Sequence, residues 1–593
     1  MTKPSLAPFP APLLILIGVL AVLALGLGLT YGPMGYHPTD QGMIFGLSWR
    51  IYSGQVPYVD FFSLRLPGSL YLHSLWHFLP DSLQLRSARI FFYAQNLSFV
   101  ALPLVFLAGR TRLSTSRLIA VASLAVGISF FAMNNFPNMP WHTLDGILFS
   151  ILGTVACMYG LTSRSPSSLW LAGLSFGFAI LCKQNFFAAA GVFWFVCLFC
   201  LGTTRSGGLR SLALATCGLG LPPLALALYL AQVGGLTALF AQVGAASDLA
   251  MIRTQGFDPF VTSRGWLAFG VGLSYGACTW WGRLASEPKV RDRLGALSIA
   301  IMVGLMLALV LGAETHDDAK ERSLEAWMVV LGFTLMGFAV LRRRVLVLEP
   351  LEGQLLVQNL LLLAIAWSAA ISWSVVSPML ALAPLVLHNP WLFSGTVPFQ
   401  LQRIYPVVGL AVLVLGFGFF HELNHRYPYR ERPYEELTVD LGQVFPKLSG
   451  IYSSSATASR YADLARIIEG LGPGSESGFT VLRDFPAIHY LADAIPPVGT
   501  DWYLEQEVQP VRGRLLAQLE QVAPVAILDR SPATQVRAFR KGPPQGCRQT
   551  PWKHFGFITH HIGTHWTLEA QTPFFCVYRK PAATSPAGSG DTH

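Results

Sequence analysis

The chain has 593 residues, 52% of them hydrophobic and only 12% charged, and its mean hydropathy is +0.48. A soluble globular chain carries roughly 25% charged residues, so the composition excludes a soluble enzyme and points to a polytopic membrane protein. The net charge of +9 comes from Lys and Arg placed between apolar segments, the pattern of cytoplasmic loops and not of a nucleic-acid-binding face.

A bilayer-spanning helix needs about 20 apolar residues. Spans are expected at 12–30, 90–108, 118–133, 144–162, 169–182, 185–202, 211–232, 265–281, 294–312, 324–341, 353–371, 374–388 and 404–420. The fold class is therefore mostly α, with about thirteen transmembrane helices over 1–427. Pro12 to Thr30 lacks a small-x-small cleavage site and is long enough to span, so it reads as a retained helix and not as a signal peptide. The stretch 353–388 admits two short helices or one helix plus a re-entrant piece.

Basic clusters follow alternate spans: Arg110, Arg112 and Arg117, then Arg164, Arg205 and Arg210, then Arg283 to Arg293, then Arg342 to Arg344. They mark the cytoplasmic side. The N-terminus is then inside. The long first loop 31–89, Lys183, the acidic 312–323 loop and the C-terminal region are outside.

After about residue 427 the composition becomes that of a soluble domain. A small α/β domain is expected over 428–580, with helices at Ile467–Leu471 and Arg512–Leu519 and strands at Phe479–Leu482 and Val525–Leu528. Pro581 to His593 is a low-complexity, disordered tail. Cys547 and Cys576 can pair if this region lies outside the cytoplasm. The other six cysteines lie in apolar helices and act as small hydrophobes.

The chemistry-bearing residues concentrate in and around the first loop. Asp40 follows the first span. It can act as a general base toward an acceptor hydroxyl, and it is equally a favoured N-cap for a helical run Met43–Ile51. A Gly54–Pro57 turn leads to Asp60, which pairs with Arg65 in the simplest reading; alternatively Asp60 shapes a site in which Arg65 touches a phosphate or sugar. Asp145, in WHTLDG, sits at the mouth of the fourth span. An ionisable group there is a functional candidate, unless the helix dipole alone explains it. Lys183 and Gln184 interrupt two apolar helices, where Lys183 either binds a lipid phosphate or reaches for headgroups. Arg403 poses the same choice on the cytoplasmic side. His73 and His77 read as structural or acceptor-facing. His561 and His565 sit in a stretch whose Gly563 favours a strand or loop, with no carboxylate at matching spacing. Glu314 to Asp318 reads as a solvated acidic loop with oxygen ligands for a cation as the alternative.

The aspartate after the first helix, then SGQVPYVDFFSLRLPG, then an arginine entering the second helix together resemble the GT-C glycosyltransferases. HTLDGILF and GFAILCKQNF resemble the second-loop aspartate and the Lys-Gln pair of the protein-mannosyltransferase and aminoarabinose-transferase-like group. The likeness covers most of the first 200 residues, and the rest only in architecture.

The resemblance implies a glycosyltransferase of the bacterial inner membrane with its C-terminal domain on the periplasmic face. The donor would be a polyprenyl-phosphate-linked sugar and the acceptor a lipid, glycan or protein, with membrane lipid around it and no nucleic-acid partner. Catalytic roles then fall to Asp40 as base, Asp145 and Asp60, and donor-phosphate roles to Arg65, Lys183 and Gln184. Where the group often has Asp-Glu, this chain has Asp40-Gln41, so no metal ligand is assigned, no cofactor is implied and a divalent metal stays open. Arg65-Leu66-Pro67 carries its base one residue earlier than a Lys-Pro pair would. The alternative is a transporter or flippase of a lipid-linked saccharide, which calls for inverted repeats and midplane polar residues; the chain has neither an internal repeat nor many charges inside its helices. A scaffold that recruits partners would not need aspartates at helix mouths.

Overall fold

In the computed structural model of the chain, the described residues are 11–111, 115–133, 138–202, 208–245, 350–373, 399–426, 431–471, 478–482, 485–503, 511–522, 525–530 and 556–581, with isolated positions such as Cys547 between them. Long apolar runs form α1 (Ala11–Thr30), and then, beyond two short helices of the first loop, α2 (Asp40–Tyr52) and α3 (Gly68–Ser74), a series of further helices. These are α4 (Asp81–Thr111), α5 (Thr115–Met133), α6 (His142–Ser163), α7 (Pro166–Cys182), α8 (Phe187–Gly202), α9 (Gly208–Gln232), α10 (Leu236–Ala245), α11 (Pro350–Trp373) and α12 (Phe399–Arg426).

Nine expected spans fall on α1, α4 to α9, α11 and α12. By the stricter test of length and hydropathy, four described helices are long and apolar enough to cross a bilayer: His142–Ser163, Gln184–Leu201, Gly208–Gln232 and Pro406–Arg426. The expected spans 294–312, 324–341 and 374–388, nearly all of 265–281, and the 314–318 loop lie outside the described residues. The apolar surface says where lipid sits. Leu14, Ile15, Val22 and Leu29 of α1, Phe195 and Phe199 of α8, Leu224 and Leu228 of α9, and Val407, Leu410 and Val414 of α12 are exposed. Apolar area of this extent is covered by hydrocarbon. The protein is a mostly helical membrane protein.

The helices pack closely where small residues allow it. On α7, a Cβ at Gly173 would stand 2.1 Å from the Ala215 carbonyl oxygen of α9, and one at Gly218 of α9 would stand 2.2 Å from that of Trp170. The first loop is more ordered than a connecting loop. Besides α2 and α3 it contains a 3-10 turn at Leu75–Phe78, and its end, from Asp81, is already the first turns of α4. Asp40 is the first helical residue of α2, not its N-cap; Thr39 holds that position, with no side-chain cap bond.

The C-terminal region contributes α13 (Ser455–Gly470), α14 (Ile488–Leu491), α15 (Arg512–Val522) and α16 (Gly556–His565). Its short strands β1 (Val439–Asp440) and β2 (Tyr452–Ser453) pair antiparallel. Strands β3 (Phe479–Leu482), β4 (Val525–Asp529), β5 (Thr567–Gln571) and β6 (Phe575–Arg579) form a four-stranded sheet in the order β3-β4-β6-β5. β3 and β4 run parallel and are buried along their whole length, as parallel strands covered on both faces must be. Cys547 and Cys576 are disulfide-bonded. His561 and His565 lie on α16, a helix and not the expected strand or loop. Their rings stack 4.6 Å apart, and His561 finds a carboxylate that sequence spacing did not offer, Glu520 at 2.5 Å.

The first loop and the C-terminal region share cores: Tyr36, Phe45, Leu85 and Ala88 pack with Tyr461, Phe485 and Ile527, and Phe62 packs with Leu515 and Leu528. The backbones bond directly, Gly35 N–H to Tyr452 O at 2.8 Å and Phe62 N–H to Gly499 O at 2.7 Å. Arg50 of α2 is fully buried. It donates to Asp501 Oδ2 through Nε at 2.8 Å and Nη2 at 2.6 Å, and to the Val498 carbonyl at 2.7 Å. His489 Nδ1 lies 2.8 Å from the other Asp501 oxygen.

Candidate active site

The site is built from four segments: the N-terminus of α2, the 58–69 strip, the first turn of α6, and the 183–186 turn between α7 and α8. Arg89 of α4 anchors the first. It is fully buried and donates to the Gly32 and Gly35 carbonyls and to Gln41 Oε1, the last at 2.8 Å. This places a cation on the carbonyls that follow α1, where the helix dipole is negative.

The 58–69 strip is held from several directions. Tyr58 is buried at φ +69°, a left-handed conformation that a bulky residue adopts only under constraint. The constraint is visible: Tyr58 Oη donates to the Arg65 carbonyl at 2.7 Å and Ser63 Oγ to the same oxygen at 2.8 Å. Gln242 of α10 accepts from Ser63 N–H at 3.0 Å. Asp60 is exposed and accepts from the Val56 N–H at 2.6 Å, closing its own turn. The Asp60–Arg65 ion pair does not form. Closeness in sequence does not make the pair, because the turn's own backbone N–H claims the carboxylate.

Three close approaches bring the segments together. A Cβ on Gly68 would stand 2.6 Å from the Leu181 carbonyl carbon, and one on Gly146 would stand 2.2 Å from the Phe186 ring. Gln184 Nε2 donates to the Leu64 carbonyl at 3.0 Å. Lys183 is buried and its Nζ donates to Thr143 Oγ1 at 2.9 Å. Arg65 Nη1 lies 3.6 Å from Met43 Sδ. Asp40 is three residues before Met43 and so shares its face of α2, half-buried at the helix end. Arg65, Lys183 and His73 all lie within electrostatic reach of His142. The sequence candidates Arg65, Lys183 and Gln184 thus gather where the 58–69 strip, the first turn of α6 and the 183–186 turn meet, and Asp40 begins the helix whose Met43 touches Arg65.

Asp145 is different. It is fully buried and accepts from Ser69 Oγ, from His73 Nε2 at 2.9 Å and from Gln95 Nε2 at 2.8 Å. Trp76 Nε1 donates to His73 Nδ1 at 2.8 Å. An indole only donates, so Nδ1 carries the lone pair and Nε2–H points at the carboxylate. Asp145 therefore ties α3, α4 and α6 together with both oxygens occupied.

Ser69, Gln95, Thr143 and His142 were given no role by sequence reasoning, and Arg89 entered only as the arginine that leads into the second span. Gln95 was findable as a lone amide inside an apolar span, and His142 as the neighbour of Asp145 in WHTLDG. Gln41 Oε1 is taken by Arg89, and Asp145 by three donors. Among the described residues no three His, Cys, Asp or Glu side chains cluster as metal ligands.

No protein-family model matches the chain, and no curated protein does. Solved structures do. ArnT from Cupriavidus metallidurans bound to undecaprenyl phosphate is similar over 96% of this chain and 98% of that one, at 12% identity and a TM-score of 0.41. The same protein in the apo state gives 95%, 97%, 13% and 0.41. The oligosaccharyltransferase of Archaeoglobus fulgidus, in complex with Zn and sulfate, is similar over 86% of this chain and 68% of that one, at 12% identity and a TM-score of 0.39.

Proposed function

We propose that the chain is an inverting membrane glycosyltransferase that moves a sugar from a polyprenyl-phosphate donor to the hydroxyl of a lipid, glycan or protein acceptor. The observation that carries this reading is the junction itself: two cations, Arg65 and Lys183, at the mouth of a membrane helix, with Asp40 on the neighbouring face of α2. A lipid-linked donor brings its phosphate to that depth. Arg65 offers a planar fork to two phosphate oxygens, and Lys183 adds a point charge. Both stabilise the charge that grows on the phosphate as the bond from the anomeric carbon to the phosphate oxygen breaks. Asp40 takes the proton of the acceptor hydroxyl as its oxygen attacks that carbon. One displacement inverts the centre and releases polyprenyl phosphate. Asp145 holds α3, α4 and α6 in place, Asp60 shapes the strip that carries Arg65, and Gln184 pins that strip to the 183–186 turn.

The bonded first loop and C-terminal region act on one side of the membrane, and we place that side in the periplasm of the bacterial inner membrane. Basic loops on the opposite face and the Cys547–Cys576 disulfide, a bond of oxidising compartments, support that choice. A transporter of the same lipid-linked sugar is the second reading; a phosphate site at a helix mouth also suits the first step of transport.

The test is sugar transfer in membranes holding the wild type or Asp40→Asn at matched expression, supplied with a panel of radiolabelled polyprenyl-phosphate sugars. Loss of a general base lowers transfer about 10²- to 10⁴-fold, and that drop is expected. Equal transfer by both forms removes Asp40 as the base. Movement of the intact sugar lipid across vesicles without transfer favours the second reading.

A further inference from the structure

We infer that His142 is a donor-recognition residue, whose imidazole hydrogen-bonds the lipid-linked sugar phosphate beside Arg65 and Lys183. This rests on the phosphate reading of the junction and adds to it a residue that carries no role so far.

The evidence is an imbalance. His142 is 1% exposed, and neither ring nitrogen has a hydrogen-bond partner. Buried polar groups are rarely left so, and each exception calls for an explanation. The other buried histidines of this region are satisfied on both sides. His73 has Asp145 and Trp76. His77 has Ser48 at 2.9 Å and Gln84 at 3.4 Å. The fold engages both nitrogens of those rings and leaves both of His142 open. His142 is also the first residue of α6, where backbone N–H groups and the helix dipole favour an anion. Its neighbour Thr143 holds Lys183, and Arg65 stands within electrostatic reach. A neutral imidazole has one donor and one acceptor. The phosphate takes the N–H, and a hydroxyl of the donor sugar supplies the proton that the other nitrogen accepts. One ring then reads phosphate and sugar together.

The experiment follows thermal unfolding of the purified full-length protein in lipid nanodiscs, titrated with a polyprenyl monophosphate and, separately, with the polyprenol that lacks the phosphate. Wild type, His142→Phe, His142→Gln and Arg65→Ala are compared. Phe fills the ring's space without polar atoms, so His142→Phe melts no lower than wild type when no ligand is present. Its apparent affinity for the polyprenyl phosphate falls about tenfold or more, and His142→Gln recovers part of the loss. Polyprenol affects all four alike. If His142→Phe binds the polyprenyl phosphate as tightly as wild type while Arg65→Ala does not, His142 has no part in recognition and the phosphate site stands. A ligand-free His142→Phe that melts well below wild type also overturns the inference, since the ring then has a structural partner such as an ordered water. If neither Arg65→Ala nor His142→Phe changes phosphate-dependent binding, the phosphate reading falls as well.

Discussion

Asp40 and Asp145 look alike in the sequence: each is a carboxylate at the end of an apolar run. Their surroundings separate them. Asp145 has no exposed surface and three donors, whereas Asp40 sits half-buried at the start of α2. The two should therefore fail differently. Asp145→Ala strands the donors of Ser69, His73 and Gln95, and the unfolding free energy should drop by roughly 3 kcal/mol or more. Asp40→Asn should lower the melting temperature far less than Asp145→Ala does, while cutting transfer about 10²- to 10⁴-fold. Circular-dichroism melts in detergent, run beside the transfer assay, check both. An Asp145→Ala form that melts like wild type would mean that the carboxylate is not the knot between α3, α4 and α6. Burial of this kind is invisible to a one-dimensional reading, because the three donors come from positions 69, 73 and 95.

At the scale of elements, the membrane helices were legible because an apolar run of spanning length has few other uses. The strands Phe479–Leu482 and Val525–Asp529 were legible as short buried runs. The first loop was less so. Its two aspartates and its arginine stood out, and so did the helical run Met43–Ile51 inside α2, but α3 did not: it is short, mixes polar with apolar residues, and packs on α2, α6 and α7. Gly68 is where α3 meets α7. A methyl group there meets the Leu181 backbone, which has nowhere to go. Gly68→Ala should lower transfer at least tenfold by displacing the Arg65 strip, with the protein still folded, and a crosslink between cysteines placed at Leu64 and Gln184 should form less readily. The adjacent 3-10 turn carries a pH dependence. Burial pushes His77 down to about 4. The unfolded chain binds that proton near the ordinary value of 6.5, so the folded state loses stability as pH falls from about 6.5 toward 4. The loss is on the order of 3 kcal/mol across that window. His77→Gln should flatten this part of the melting-temperature profile, and a profile unchanged by the substitution would contradict the assignment.

For the whole molecule, the C-terminal region is a clamp on the first loop as much as a unit of its own. Its cores include Tyr36, Phe45 and Phe62 from the loop, and its buried Asp501 meets the loop's Arg50. Burial alone would raise the Asp501 carboxyl, but Arg50 and His489 outweigh it and hold it below the usual carboxylate range. That contribution is present above the ordinary value of 3.8 and is lost as pH falls through the lowered one. Removing one member of such a buried set costs about 3–5 kcal/mol. Arg50→Ala should thus unseat the loop, seen as faster hydrogen exchange across α2 and the 494–501 segment together. Exchange rising in only one of the two would argue against a clamp. Composition revealed the change of character near residue 427, but the union of the two parts depends on contacts between positions some 450 apart, such as Arg50 and Asp501, which no local pattern encodes.

The most direct test of the account is an electron cryomicroscopy structure of the full-length protein with a bound polyprenyl monophosphate. The phosphate should lie between Arg65 and Lys183, within hydrogen-bond distance of both and beside the first turn of α6. Phosphate density elsewhere, with that junction closed or filled by protein, would contradict it.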